Sequence, residues 1–69
     1  MQNINYDLLK TLHMTLDNVW RLEKYYINDA EAAKCHSLPF LKQMLETEKK
    51  HAEQLQAEIK MRMDAGIFN

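Results

Sequence analysis

The sequence predicts an all-α protein: an antiparallel two-helix hairpin that pairs with a second copy of itself to make a four-helix bundle. Three observations predict it. Apolar residues recur at steps of three and four through two long stretches. Strand signals are missing, with no sustained alternation, few β-branched residues and no hairpin dipeptide. The single Gly and the single Pro of the 69 residues both sit at boundaries between stretches rather than inside them.

The first helix is expected over about 4–34. Asn3 or Asn5 can cap it. Leu9, Leu12, Leu16, Val19, Glu23, Tyr26 and Ala30 form its stripe at about 100° per residue, widened by Leu8, Trp20, Leu22 and Ile27, with Thr15 at the edge. The helix-favouring run Ala30-Glu31-Ala32-Ala33-Lys34 carries it to its end. A turn follows at about 35–37, around Cys35-His36. Ser37 is a suitable N-cap and Pro39 is tolerated in a first turn, so the second helix is expected over about 38–65. Leu41, Leu45, Glu48, Ala52, Leu55 and Ile59 form its stripe, and Gly66 stops it. So short a connection makes the two helices antiparallel neighbours within one domain, residues 1–69.

A chain of 69 residues buries little alone, and small domains need disulfides, a metal or self-association. Cys35 is the one cysteine, so no intramolecular disulfide forms. An apolar face on a lone hairpin has nothing to pack against, which makes a homodimer the expected minimum and a larger ring of dimers an extension of it. The formal net charge of −1, with no basic stripe, gives no sign of nucleic acid as a partner. No apolar run reaches membrane-spanning length, and Met1-Gln2-Asn3-Ile4-Asn5 has no signal-like pattern; a reduced, cytoplasmic setting is expected.

Two residues in these stripes are out of character. Glu23 and Glu48 are charged at positions meant for the core, where charge needs a partner. Glu23 and Glu48 are equidistant from the Cys35-His36 turn, so they should lie at one height. His51 follows Glu48 by three residues, on the same face. Two carboxylates and a His, doubled by a two-fold axis, make the donor set of a paired cation site. Iron or manganese suits such oxygen-rich donors better than a structural zinc. The plainer reading is that each Glu sets helix register, or that Glu23 pairs with a nearby Lys or Arg.

The segment Leu45-Glu46-Thr47-Glu48-Lys49-Lys50-His51-Ala52-Glu53-Gln54-Leu55 resembles the Glu-x-x-His helix of the ferritin-like superfamily, in particular rubrerythrins and encapsulated ferritins. Glu48, Lys49, His51, Ala52 and Leu55 match the recurrent pattern E-K-x-H-A-x-x-L, and Tyr25-Tyr26 resembles the aromatic pair after the first helix's ligand. The likeness covers about residues 16–60, and two helices in place of four resemble the half-ferritins that build their site between subunits. It implies a ferritin-like bundle with two irons per dimer held by Glu23, Glu48 and His51, manganese or zinc being variants. Tyr26 would stand beside the ligands. The implied activity is oxidation of Fe(II) to Fe(III) for storage or detoxification, with peroxide reduction as a family variant. Encapsulation in a protein nanocompartment is a further implication, although the ending Asp64-Ala65-Gly66-Ile67-Phe68-Asn69 does not look like a cargo-targeting extension. An ungapped alignment on His51 places Asp17 or Asn18, not Glu23, at the family's first-helix ligand. Asp17 is off the stripe and Asn18 is a poor iron ligand, so Glu23 is preferred. The alternative function is a non-enzymatic hairpin that dimerises as a structural or adaptor module.

Trp20 is expected to pack, His13 to pair with Asp17 one turn on, and Cys35-His36 to be an inert turn.

Overall fold

Residues 1–69 are all described by a computed structural model, and its regular elements are all helical. In order they are α1 (Asn3–Arg21), a π turn (Leu22–Tyr26), α2 (Ile27–Ala32) and α3 (Leu38–Asp64). The first three run on without leaving helical dihedrals and form one arm; α3 is the other. The arms pack antiparallel as a hairpin, a rod of 49 × 16 × 13 Å. Its Cα radius of gyration is 15.3 Å, where a globular chain of this length has about 11 Å.

α3 puts the residues of its apolar stripe where the period places them. Leu41, Leu45, Glu48 and Leu55 are half-buried, and Ala52 and Ile59 are buried. The first arm follows its expected stripe in part, keeping Leu12, Val19 and Ala30 and the flank of Leu8, Thr15, Leu22 and Ile27. Its inward residues are Leu8, Leu12, Thr15, Val19 and Leu22, and then Ile27 and Ala30. Leu9, Leu16, Glu23 and Tyr26 are exposed. The step from Leu22 to Ile27 is five residues, and the π turn supplies the extra one: the Ile27 N–H bonds back to the Leu22 carbonyl. A uniform α-helix would have turned Tyr26 inward and Ile27 to solvent. Burying a branched aliphatic side chain in place of a tyrosine favours the wider turn, since complete burial of Leu or Ile stabilises by about 1.5–3 kcal/mol while a buried phenol must find a hydroxyl partner. Leu22 is the most deeply buried apolar residue, at 1% exposure.

Both arms end alike. After α2, Lys34 takes a positive φ of 52°, its N–H bonds the Glu31 carbonyl, and the Cys35 N–H bonds the Ala30 carbonyl. After α3, Gly66 takes φ 74°, with the matching bonds from Gly66 to Met63 and from Ile67 to Arg62. Each is a Schellman ending. The first arm stops at Ala32, short of the expected boundary near residue 34, because Lys34 has left the right-handed region. Ser37 stands just before α3, but its side chain makes no capping bond; its carbonyl receives the Leu41 N–H instead.

The end remote from the turn is closed by polar groups. Asn5, expected as a cap, is fully buried. Its Nδ2 donates to the carbonyls of Ile67 (3.0 Å) and Asn69 (3.2 Å), and its Oδ1 accepts from Arg62 Nε (2.7 Å). The Gln2 N–H donates to the Asn69 carbonyl at 2.7 Å, and the Gln2 amide meets the Asn69 side chain at 3.1 Å. Residues 67–69 thus fold back over the start of α1.

Candidate functional site

Glu48 sits midway along α3, on the face turned toward α1, and its side chain is 20% exposed. Both of its oxygens are engaged. His51, one turn on, brings Nδ1 to 2.9 Å from Oε1, and Asn18 of α1 donates from Nδ2 to Oε2 at 3.1 Å. The i to i+3 spacing sets the first contact, since those positions share a helix face. The second follows from the inward run of α1, in which Asn18 lies one turn after Thr15 and one turn before Leu22. Accepting bonds from His51 and then Asn18 holds the Glu48 carboxyl below its ordinary value, because both bonds favour the charged form. With Glu48 ionised, His51 carries its proton on Nδ1 and leaves Nε2 free.

Glu23 is not part of this group. It is 46% exposed, and its carboxylate pairs with Lys49 Nζ at 3.5 Å. Lys49 is next to Glu48, so Glu23 reaches nearly the expected height. It points to the other flank of α3, about 100° round the helix. The pairing with a lysine is the plainer of the two readings of Glu23, and an exposed pair of this kind contributes under about 1 kcal/mol. The residue that does face Glu48 is Asn18, at one of the two places the ungapped alignment selects. The signal that could have found it is the step of five between Leu22 and Ile27: once Leu22 is taken as inward, Asn18 and Thr15 follow it at helical spacing.

Tyr26 is 42% exposed and is not among the hydrogen-bond partners of Glu48, which are His51 and Asn18. Trp20 is 47% exposed and meets Tyr25 edge-on at 5.4 Å between ring centroids. Asp17 pairs with Arg21 at 2.8 Å, not with His13. The Cys35 thiol is lowered by the Ser37 backbone N–H, which donates to Sγ at 3.4 Å.

As a metal centre, one chain is short of donors. Glu48 and His51 converge, but no third His, Cys, Asp or Glu joins them. Asn18 presents N–H to Glu48 where a cation would need an oxygen. A single copy therefore does not fit an ion, and the group is a polar cluster of three hydrogen-bonded side chains, Asn18, Glu48 and His51.

The groove on this side of the hairpin has a distinct composition. Thr11, Met14 and Thr15 line it from α1, and Phe40, Met44 and Thr47 from α3, on either side of Glu48 and His51. No Lys or Arg lines it. The opposite flank is bridged by ion pairs: Lys49 to Glu23, and Lys42 to Glu31 at 3.9 Å. No helix is long and apolar enough to cross a membrane. Set against protein-family models, curated proteins and solved structures, the chain has no match in any of the three.

Proposed function

We propose that the chain is a non-catalytic helical hairpin whose work is self-association: two copies join as a four-helix bundle that serves as a structural or adaptor module. The observation that carries this reading is how little one copy buries. Six of its 69 residues are buried, while Met14, Leu16, Trp20, Phe40 and Met44 are all more than 40% exposed. The accessible surface is 5200 Å², where a globular protein of 8.2 kDa exposes about 4500 Å². The excess, roughly 700 Å², is close to the ~800 Å² that each partner of a stable complex buries. Glu48, Asn18 and His51 then act as polar residues on a packed seam, which set register and oligomer state at some cost in stability. Sedimentation over a wide concentration range tests this. The expected result is a dimer with thermal stability rising with protein concentration; a monomer at every concentration ends the reading.

A second reading is favoured by one feature, the convergence of Glu48 Oε1 and His51 Nδ1 at 2.9 Å. Two copies brought face to face would offer two carboxylates and two imidazoles, a donor set for iron or manganese. A ferroxidase of the ferritin-like kind would then be assembled between subunits, with Glu23 outside it. The chain's part would be to hold those donors and shield them with Met14, Met44 and Phe40. Anaerobic Fe(II) titration read by melting temperature and by mass tests it. Binding of iron to the dimer, lost in His51→Ala, supports it; no shift and no bound mass removes it.

A further inference from the structure

The two long faces of the hairpin are not equivalent, and we infer that the second copy docks on the groove that carries Glu48 and His51, not on the flank that carries Leu9, Leu16 and Lys49. This rests on the self-association proposed above and names the surface that performs it.

Charge decides between the faces. Lys42, Lys49 and Lys60 fall on one flank of α3 at about 100° per residue, and all three are committed to ion pairs, with Glu31, with Glu23 and Glu46, and with Asp64. Two of those pairs cross to the first arm and close that side of the hairpin with charged groups that keep their water. Covering them would strip solvent from ammonium and carboxylate groups with no new partner, which costs more than such pairs return. No Lys or Arg lines the groove, and Glu48 and Glu58 are the only carboxylates that do. Depletion of charge with enrichment of Met and aromatic residues is the composition of an interface centre. Met14, Phe40 and Met44 are 60%, 62% and 41% exposed there.

Self-complementarity points the same way. A two-fold interface uses one patch twice, so residues at its midpoint meet their own copies. The groove runs along α3 from Phe40 to Glu58, and Glu48 and His51 stand at its middle. The two copies therefore bring their Glu48–His51 pairs to one level. Phe40, Met44 and Met14 pack on either side. The area fits as well: the groove is one face of a rod 49 Å long and 16 Å wide, and a patch over most of that face matches the ~800 Å² of a standard interface side.

The test uses the full chain. Met44→Lys places a cation in the groove, and Leu16→Lys places one on the other flank; both are followed by sedimentation, with circular dichroism to confirm helix. Groove docking predicts that Met44→Lys weakens the dimer by at least about tenfold, one decade being 1.4 kcal/mol, while Leu16→Lys leaves it within about twofold. To separate docking from any effect of the new charge on the fold, a second measurement leaves the face uncharged. In a Cys35→Ser background, Thr47→Cys in the groove should oxidise to a covalent dimer, and Gln56→Cys on the flank should not. The reverse pattern, with Leu16→Lys dissociating the dimer and Gln56→Cys cross-linking it, overturns the groove assignment and leaves self-association standing. A parent protein that stays monomeric overturns both.

Discussion

The two arms of the hairpin reach the same seam by different means. α3 is regular from end to end: its inward residues keep steps of three and four from Leu41 to Ile59, Glu48 among them, and it closes on a glycine, Gly66, at positive φ. The first arm departs from local preference twice. It widens to a π turn at Leu22–Tyr26, and it closes on Lys34 at φ 52°, where glycine would be at ease. The difference teaches that α3 sets the spacing of the seam and the first arm accommodates it. Locally unfavourable geometry survives in the arm that must match a template, because inward burial of Leu22, Ile27 and Ala30 is worth more than the strain.

The comparison breaks most readily at the start of the π turn. Leu22→Ala should cost about 2–4 kcal/mol, the range for removing a buried leucine, whereas Leu16→Ala on the exposed side of the same arm should cost under about 1 kcal/mol in the unassociated chain. Denaturant unfolding at a concentration below that of dimer formation measures both. Equal losses would mean that the exposed stripe, not the one beginning at Leu22, faces α3.

The two endings offer a sharper contrast at smaller energy. Lys34→Gly should stabilise by about 1 kcal/mol, since a non-glycine residue in the left-handed region costs about 1–2 kcal/mol. Gly66→Lys should destabilise by about the same amount; space is not the obstacle, because a Cβ at Gly66 would meet nothing within 4 Å. Melting temperatures that move together in either direction would contradict the backbone account.

The smallest effect is electrostatic. The Glu48 carboxyl is held below its ordinary value in the folded state, so the unfolded chain binds more protons as acid is added. Its contribution is therefore complete above about pH 4.3, the ordinary value for Glu, and is lost as pH falls through the lower folded value. Glu48→Gln should flatten that acid limb by lowering the neutral-pH plateau, with little change in stability at low pH. A curve identical to the parent's would show that the bonds from His51 and Asn18 do not favour the charged form.

Much of the fold is legible in the residues. Pro39 and Ser37 mark where α3 begins and Gly66 where it ends, and its stripe from Leu41 to Ile59 is the stripe it packs. Glu48 and His51 are legible as a pair for the same reason: their spacing alone puts them on one face. The first arm is harder to read because two stripes compete along it. Leu9, Leu16, Glu23 and Tyr26 make one at uniform helical pitch, and Leu8, Thr15, Leu22 and Ile27 make another only if a turn is widened. The step of five from Leu22 to Ile27 is the one mark of that turn, and Asn18 comes to face Glu48 only through the second stripe.

By itself, then, the sequence determined two antiparallel helices, the seam of α3 and the Glu48–His51 pair, because helical period and capping act within a few residues and need no partner to express them. Only the tertiary structure decided that Glu23 turns to Lys49, that Asn18 takes its place, and that Asn5 and Arg62 hold residues 67–69 over the start of α1. Those outcomes depend on which of two apolar stripes packs against α3 and on contacts across more than fifty residues of chain. Such contacts are settled by the packing of the two arms against each other, which no local preference encodes.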